Sequence, residues 1–176
     1  MMSENIIEEI YVPADRLAVI IGTKGETRKK IEQSGDVKLW VDTENNLVKV
    51  IGKDAYQVYV VKKVIKAIAR GFNPDKALVI LDNGYDFELI DLRDFGAKEK
   101  KDLYRLRGRV IGERGATRKY IEKISGCEIS IYGKTIAIVG PNEAINVVRL
   151  GLEMILNGAR QGRAYAFIKD KLGVEK

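Results

Sequence analysis

The chain has 176 residues, with 31 Lys and Arg against 25 Asp and Glu for a net charge of +6, no histidine and one cysteine. Hydrophobic residues make up 45% and charged residues 32%, the balance of a folded soluble protein rather than a disordered tail. One cysteine excludes an internal disulfide framework, and the lack of histidine removes both a conventional zinc site and the commonest general base.

The acidic run holding Ile6, Ile7, Ile10 and Val12, closed by Pro13, predicts a first strand. A short helix is expected over Ala14 to Ile21, then a glycine loop, then a second helix from Glu26 to Ser34 stopped by Gly35. Val37, Leu39 and Val41 alternate as a half-buried strand with Trp40 on its other face. Asp42 to Asn46 is a polar turn and Leu47 to Ile51 a returning strand. A long helix, Ala55 to Arg70, sets Val58, Val61, Ile65 and Ile68 on one face and Lys62, Lys63 and Lys66 towards solvent. The run from Gly71 to Leu81 starts a helix at Asn73-Pro74 and is too apolar for a floppy linker, so it is expected to pack between two halves of the protein. After a turn at Asn83-Gly84 comes a strand over Phe87 to Leu92, then about ten lysine-rich residues, Arg93 to Asp102, expected to lengthen the next helix. A helix over Thr117 to Ile124, strands over Cys127 to Ile131 and Thr135 to Val139, and a helix over Glu143 to Asn157 complete the pattern. The tail, Gly158 to Lys176, predicts one more helix. Cys127 alternates with Ile129 and Ile131 and reads as a core residue; Tyr56, Tyr59 and Tyr165 read as packing residues.

This order is β-α-α-β-β-α written twice. Ile21 to Glu32 aligns without gaps on Ile111 to Glu122 with eight of twelve positions identical, at an offset of 90 residues. Unrelated sequences agree at about one position in sixteen, so the chain is a tandem repeat. Two domains follow, 5–81 and 82–176, the second with the helical tail. A lone G-x-x-G is a weak signal, but here an apolar pair precedes each first glycine and Thr-Arg-Lys-x-Ile-Glu follows each second one. The natural reading is helix, tight loop, helix, with glycine supplying positive φ.

Such a loop places successive backbone amides and the positive end of the second helix where an anion can sit. Lys24 and Arg114 add charge at the third position of each loop, with Arg28, Lys29, Arg118 and Lys119 one turn later. Lys101 to Lys123 carries eight basic residues against three acids, whereas Asp15 to Glu32 carries five against three. No nucleotide-binding glycine motif occurs, and the acids are scattered without metal spacing, which argues for binding rather than catalysis and implies no cofactor. No segment approaches eighteen uncharged apolar residues, and the amino terminus, with Glu4, Glu8 and Glu9, lacks the character of a signal peptide. A cytoplasmic protein is expected, with no membrane partner.

With Ile-Gly-x-x-Gly between two helices in each copy, the sequence resembles the KH domain family, and the element order looks like its type I form. The resemblance implies an α+β fold of two three-stranded antiparallel sheets with helices on one face. It also implies that each domain clamps about four nucleotides of single-stranded RNA or DNA. Phosphates would lie on Gly22, Thr23, Lys24 and Gly25 in one copy and Gly112, Glu113, Arg114 and Gly115 in the other. Arg28, Lys29, Arg118 and Lys119 would follow in the second helices, and Arg107 and Arg109 would flank the second loop. Ile20, Ile21, Val110 and Ile111 would wall the groove, and the strands Val37–Asp42 and Cys127–Tyr132 would read bases. The family usually has an aliphatic residue where Arg28 and Arg118 stand, which questions the packing of the second helix; a solvated face paired with nearby glutamates is an equal alternative.

Gly-x-Thr-Arg-Lys-x-Ile-Glu in both copies and the join Arg70-Gly-Phe-Asn-Pro-Asp-Lys-Ala are similar to the small-subunit ribosome-assembly factors called partner of Nob, or Dim-two. The short chain and intact first loop look like the archaeal form. That resemblance implies binding near the 3′ end of small-subunit ribosomal RNA. It also implies contact with the Nob endonuclease and with the alpha subunit of initiation factor two. A general KH-type regulator of mRNA or translation is the alternative, which the Gly71 to Leu81 join disfavours.

Overall fold

The computed structural model describes residues 4–175; Lys176, the last residue of the expected tail, lies outside them. The chain divides into two compact units after Asn83. The first runs β1 (Ile6–Tyr11), α1 (Ala14–Ile21), a tight turn at Thr23–Gly25, α2 (Glu26–Gly35), β2 (Lys38–Asp42), β3 (Leu47–Gly52), α3 (Ala55–Ala69) and α4 (Pro74–Leu78). The second repeats it as β4 (Tyr85–Asp91), α5 (Lys100–Ile111), a turn at Glu113–Gly115, α6 (Ala116–Ser125), β5 (Glu128–Tyr132), β6 (Thr135–Pro141) and α7 (Asn142–Leu156), followed by α8 (Gln161–Leu172).

Each unit holds one antiparallel three-stranded sheet, ordered β1-β3-β2 and β4-β6-β5. The last strand of each repeat is central, which leaves β2 and β5 as edges. In the first sheet the inward residues meet in register, Ile10 opposite Val48 and Leu39 opposite Val50. Helices cover that face: Leu17, Ile20, Ile31, Val58, Val61, Ile65 and Ile68 are all buried. The second core is built alike, from Ile90, Ile129, Ile136 and Ile138 of the sheet against Leu106, Val110, Ile121, Val148, Leu152 and Ile155. The tail joins it through Ala164 and Ile168. Cys127 is buried in this core, and burial pushes its thiol up to about 11, so it is an inert packing residue.

Two local expectations are revised and a third is met. Residues 93–102 do not simply lengthen α5, since only the last three of them belong to it. A one-turn helix, Leu92–Phe95, is closed by Gly96 at φ 86°, and a capping box between Glu99 and Asp102 starts α5 afresh. Tyr56 and Tyr59 are not packing residues: they are 64% and 55% exposed, because the inward stripe of α3 is already filled by Val58, Val61, Ile65 and Ile68. Tyr165 is half-buried against Tyr120, ring centroids 4.5 Å apart.

The join after α3 belongs to the first unit. Asn73 caps α4 by accepting from the Asp75 N–H at 2.8 Å, with Pro74 in the first turn, and Phe72, Ala77 and Ile80 are buried. Arg16 of α1 fastens the segment, donating through Nε to the Ile68 carbonyl at 2.7 Å and through Nη2 to the Phe72 carbonyl at 2.8 Å. The cation thus sits at the negative end of α3, adding a bond to a last-turn carbonyl and one to the segment that follows it. The apolar seating predicts that Ile80→Ser lowers unfolding free energy by about 2–5 kcal/mol, the cost of a cavity together with a buried hydroxyl. Urea melts of the full chain measure it, and an unchanged midpoint contradicts the burial.

Candidate nucleic-acid interface

The duplicated stretch folds the same way twice. α1 ends at Gly22 with φ 72° and ψ 177°, and α5 ends at Gly112 with φ 75° and ψ 175°. That corner of backbone space is essentially open to glycine alone. The space beside each is closed as well: a Cβ on Gly22 would stand 2.7 Å from Thr27 Cβ, and one on Gly112 would stand 2.7 Å from Thr117 Cβ. Each first glycine and the threonine five residues on are therefore one device, in which the threonine occupies the side-chain space that glycine leaves.

The loop then closes on itself. The Gly22 N–H donates to the Ala18 carbonyl at 3.0 Å and the Gly25 N–H to the Gly22 carbonyl at 3.2 Å; Gly112 and Gly115 repeat these bonds at 2.9 Å and 3.2 Å. Lys24 (φ 53°) and Arg114 (φ 54°) take the left-handed conformation, which projects their exposed side chains from the tip. Gly25 and Gly115, also left-handed, are the N-caps of α2 and α6, and neither helix has a side-chain cap there. First-turn amides without a cap, at the positive end of a helix, are suited to an anion.

The basic residues divide into those the protein uses itself and those left to solvent. In the first unit Arg16 serves α3, Lys30 pairs with Asp75 at 2.8 Å and Arg28 lies 3.6 Å from Glu32, while Lys24 and Lys29 carry no ion pair among the described residues. In the second unit Lys101 pairs with Glu99, Arg105 with Asp102 and Arg118 with Glu122. Arg109 turns to the tail, donating through Nη2 to the Ala159 carbonyl at 3.2 Å, and its own carbonyl accepts from Gln161 Nε2 at 3.4 Å. Among the described residues Arg107, Arg114, Lys119 and Lys123 carry no ion pair, and Lys119 lies along Gly115. Glu113 is exposed beside Arg114.

The helical wall is thinner than expected from the apolar pairs. Ile20 and Val110 are fully buried in the cores, so Ile21 and Ile111 alone offer half-exposed surface next to the loops. Across from them run the edge strands, where two glutamates do work that composition did not reveal. The Leu39 N–H donates to Glu32 Oε2 and the Ile129 N–H to Glu122 Oε2, both at 2.9 Å. Each bond ties the second helix to the strand edge and occupies one edge donor; Val41 and Ile131, two residues on, point the same way. Arg28 and Arg118 pair with these same glutamates, and Arg118 Nη1 also donates to the Ile129 carbonyl at 3.4 Å. The paired-face reading therefore describes both arginines, and the helices pack normally through Ile31, Gly35, Thr117 and Ile121. Burial, with Glu128 beside it, holds the Glu122 carboxyl above the usual range against the pull of the Ile129 amide; Lys38 stands at the matching position of the first unit.

Two helices joined by a Gly-x-x-Gly turn and packed on a three-stranded sheet in β-α-α-β-β-α order define a type I KH domain. Residues 86–172 match the family described as the eukaryotic-type KH domain, type I, and residues 7–67 match the KH domain family. The chain belongs to the KH-domain family, as a tandem of two such domains of the Dim2p type. It is 39% identical over 167 residues to a KH domain-containing protein of Methanocaldococcus jannaschii, spanning 93% of this chain and 73% of the relative. Dim2p from Pyrococcus horikoshii is 36% identical with a TM-score of 0.86, over 94% of this chain and 99% of that one. The aDim2p of an a/eIF2alpha–aDim2p–rRNA complex from the same organism is also 36% identical, with a TM-score of 0.87 over 96% of each chain. A protein of unknown function from Aeropyrum pernix, 28% identical, superposes with a TM-score of 0.91 over 98% of this chain and 93% of its own.

The two glycines of a loop have unequal demands, and this is measurable. Nothing lies within 4 Å of a Cβ built on Gly25, whose φ of 76° and ψ of 15° is ordinary left-handed backbone. Gly25→Ala should cost about 1–2 kcal/mol of stability. Gly22→Ala adds a steric clash to a glycine-only conformation and should cost about 3 kcal/mol or more. Equal costs in chemical denaturation would contradict the threonine-filled geometry.

Proposed function

We propose that the protein binds single-stranded RNA, near the 3′ end of small-subunit ribosomal RNA, as a ribosome-assembly factor. The single observation that carries this is the twofold occurrence of a Gly-x-x-Gly turn opening onto an uncapped helix, in a chain similar over nearly its full length to a Dim2p solved with rRNA. Phosphates would rest on the amides of Thr23, Lys24, Glu113 and Arg114, where the Cβ-free glycines let a sugar–phosphate backbone approach. Gly22, Gly25, Gly112 and Gly115 shape that seat, and Lys24, Lys29, Arg107, Arg114 and Lys119 hold the strand by charge. Ile21 and Ile111 give bases an aliphatic wall, with the β2 and β5 edges opposite. Arg28 and Arg118, held by their glutamates, fix the height of that wall and face the bases with whatever guanidinium surface remains. Arg109 supports the second loop from behind through the tail.

The same likeness supports the alpha subunit of initiation factor two as a partner, since a/eIF2alpha is the other protein of that complex. A Nob-type endonuclease is the further partner that membership of the assembly-factor type implies. Cleavage would then be the partner's task, and this chain's part is to present the RNA.

Binding should be salt-sensitive, because phosphate contacts displace counterions: four to six engaged phosphates give a log–log slope of about −3 to −4. The second loop should dominate, since Arg107, Arg114, Lys119 and Lys123 are all uncommitted there against Lys24 and Lys29 in the first unit. The test compares Thr23→Asp with Lys24→Asp in one protein against Arg114→Asp in another, by fluorescence anisotropy on single-stranded RNA at low salt. The second-loop variant should lose more affinity although it changes two charge units against three. A flat salt response removes the phosphate clamp, and a larger loss from the first loop reverses the assignment.

A further inference from the structure

We propose that the exposed stripe of α3 is a second nucleic-acid contact, one that takes single-stranded RNA running beyond the groove. Tyr56, Tyr59, Lys63 and Lys66 fall within one narrow arc of the helix and extend along it for about 15 Å. Both tyrosines are more than half exposed, and Lys63 Nζ lies over the Tyr59 ring, 4.5 Å from its centroid. Residues 55–72 contain no acid at all. Glu8 of β1 is engaged by Lys62 at 2.8 Å and held below the usual carboxylate range by Lys62 first and by Lys66 in a lesser part.

The corresponding helix of the second unit shows that the fold does not require this chemistry. α3 and α7 are both 15 residues long, and their buried positions superpose, Val58 on Ile145, Val61 on Val148, Ile65 on Leu152 and Ile68 on Ile155. Under that alignment Glu143, Asn146, Leu150 and Glu153 stand where Tyr56, Tyr59, Lys63 and Lys66 stand in α3. The second unit thus has an acidic and neutral face where the first has two exposed aromatic rings followed by two cations. Exposed rings beside lysines suit single-stranded RNA, which offers both stacking faces and phosphates along the strand. The first unit, whose loop has fewer uncommitted cations, would gain its hold on RNA from this helix.

The inference rests on the RNA-binding reading above and is tested separately from it. The full chain is titrated with a 6-nucleotide and a 24-nucleotide oligouridylate across a salt series. The pair Lys63→Glu with Lys66→Glu should leave the 6-mer unchanged, weaken the 24-mer about tenfold or more, and flatten its salt slope by about 1.4, two phosphates at about 0.7 each. The pair Tyr56→Ala with Tyr59→Ala should weaken the 24-mer roughly fivefold or more with its slope kept, because stacking releases no counterions. A control with Lys53→Glu and Lys171→Glu carries the same charge change and should bind both as the parent does. If the stripe variants bind the 24-mer like the parent, or no worse than the control, the second contact is absent. If they instead lose only an acidic probe, a 12-residue polyglutamate peptide, the face belongs to a protein partner and the proposal is overturned. A parent that binds neither oligomer overturns the RNA reading and this inference with it.

Discussion

A threonine hydroxyl and Cβ fill the space where the first loop glycine has no side chain. Because Thr27 and Thr117 pack there, the chain can end one helix, turn through three residues and open the next helix without a side-chain cap. The turn also fixes the angle at which α2 leaves α1 and α6 leaves α5. Everything proposed for the interface depends on it: the exposed Lys24 and Arg114 at the tip, the uncapped helix ends, and the nearness of Ile21 and Ile111. A side chain at Gly22 or Gly112 would have to move the threonine, and with it the first turn of the following helix.

The far ends of α2 and α6 are held by a second repeated device. Glu32 and Glu122 each accept an edge-strand amide and receive the arginine one turn earlier in the same helix. This joins helix to sheet across what would otherwise be an open seam, with charge-assisted bonds stronger than those between neutral groups. The arginine that replaces the family's aliphatic residue is thereby accommodated without loss of core, since Ile31 and Ile121 already make the buried contact. The second unit adds Glu128 beside Glu122 where the first has Lys38, so the two seams differ in charge while sharing their geometry.

Element order, strand pairing and the glycine loops were legible in the sequence because the chain states them twice, and agreement between copies at Ile, Gly, Thr, Arg, Ile and Glu singled out positions with shared constraints. Thr27, Thr117, Glu32 and Glu122 were visible in that agreement as identities only; their roles needed coordinates, because a side chain that fills a neighbour's empty space leaves no periodic signal. Counting charges along the chain overstated the first loop, where Arg16 and Lys30 are spent on α3 and Asp75. Likewise Arg109 lies in the basic run but serves Ala159, fifty residues on. Residues 93–102 looked like a helical extension by composition, yet Gly96 and the Glu99–Asp102 box break it in two. Tyr56 and Tyr59 were misplaced because a tyrosine's apolar ring suggests burial while helical phase puts both on the open side.

The central claim is that backbone amides at the two Gly-x-x-Gly turns hold RNA phosphates. Amide chemical shifts of the uniformly labelled full chain, followed while single-stranded RNA is added, read those groups directly. The account predicts the largest shifts at Thr23, Lys24, Glu113 and Arg114, stronger in the second pair, with the amides of Leu39 and Ile129 little changed because Glu32 and Glu122 already hold them. Binding that leaves both turns unshifted, with changes confined to other surfaces, would contradict it.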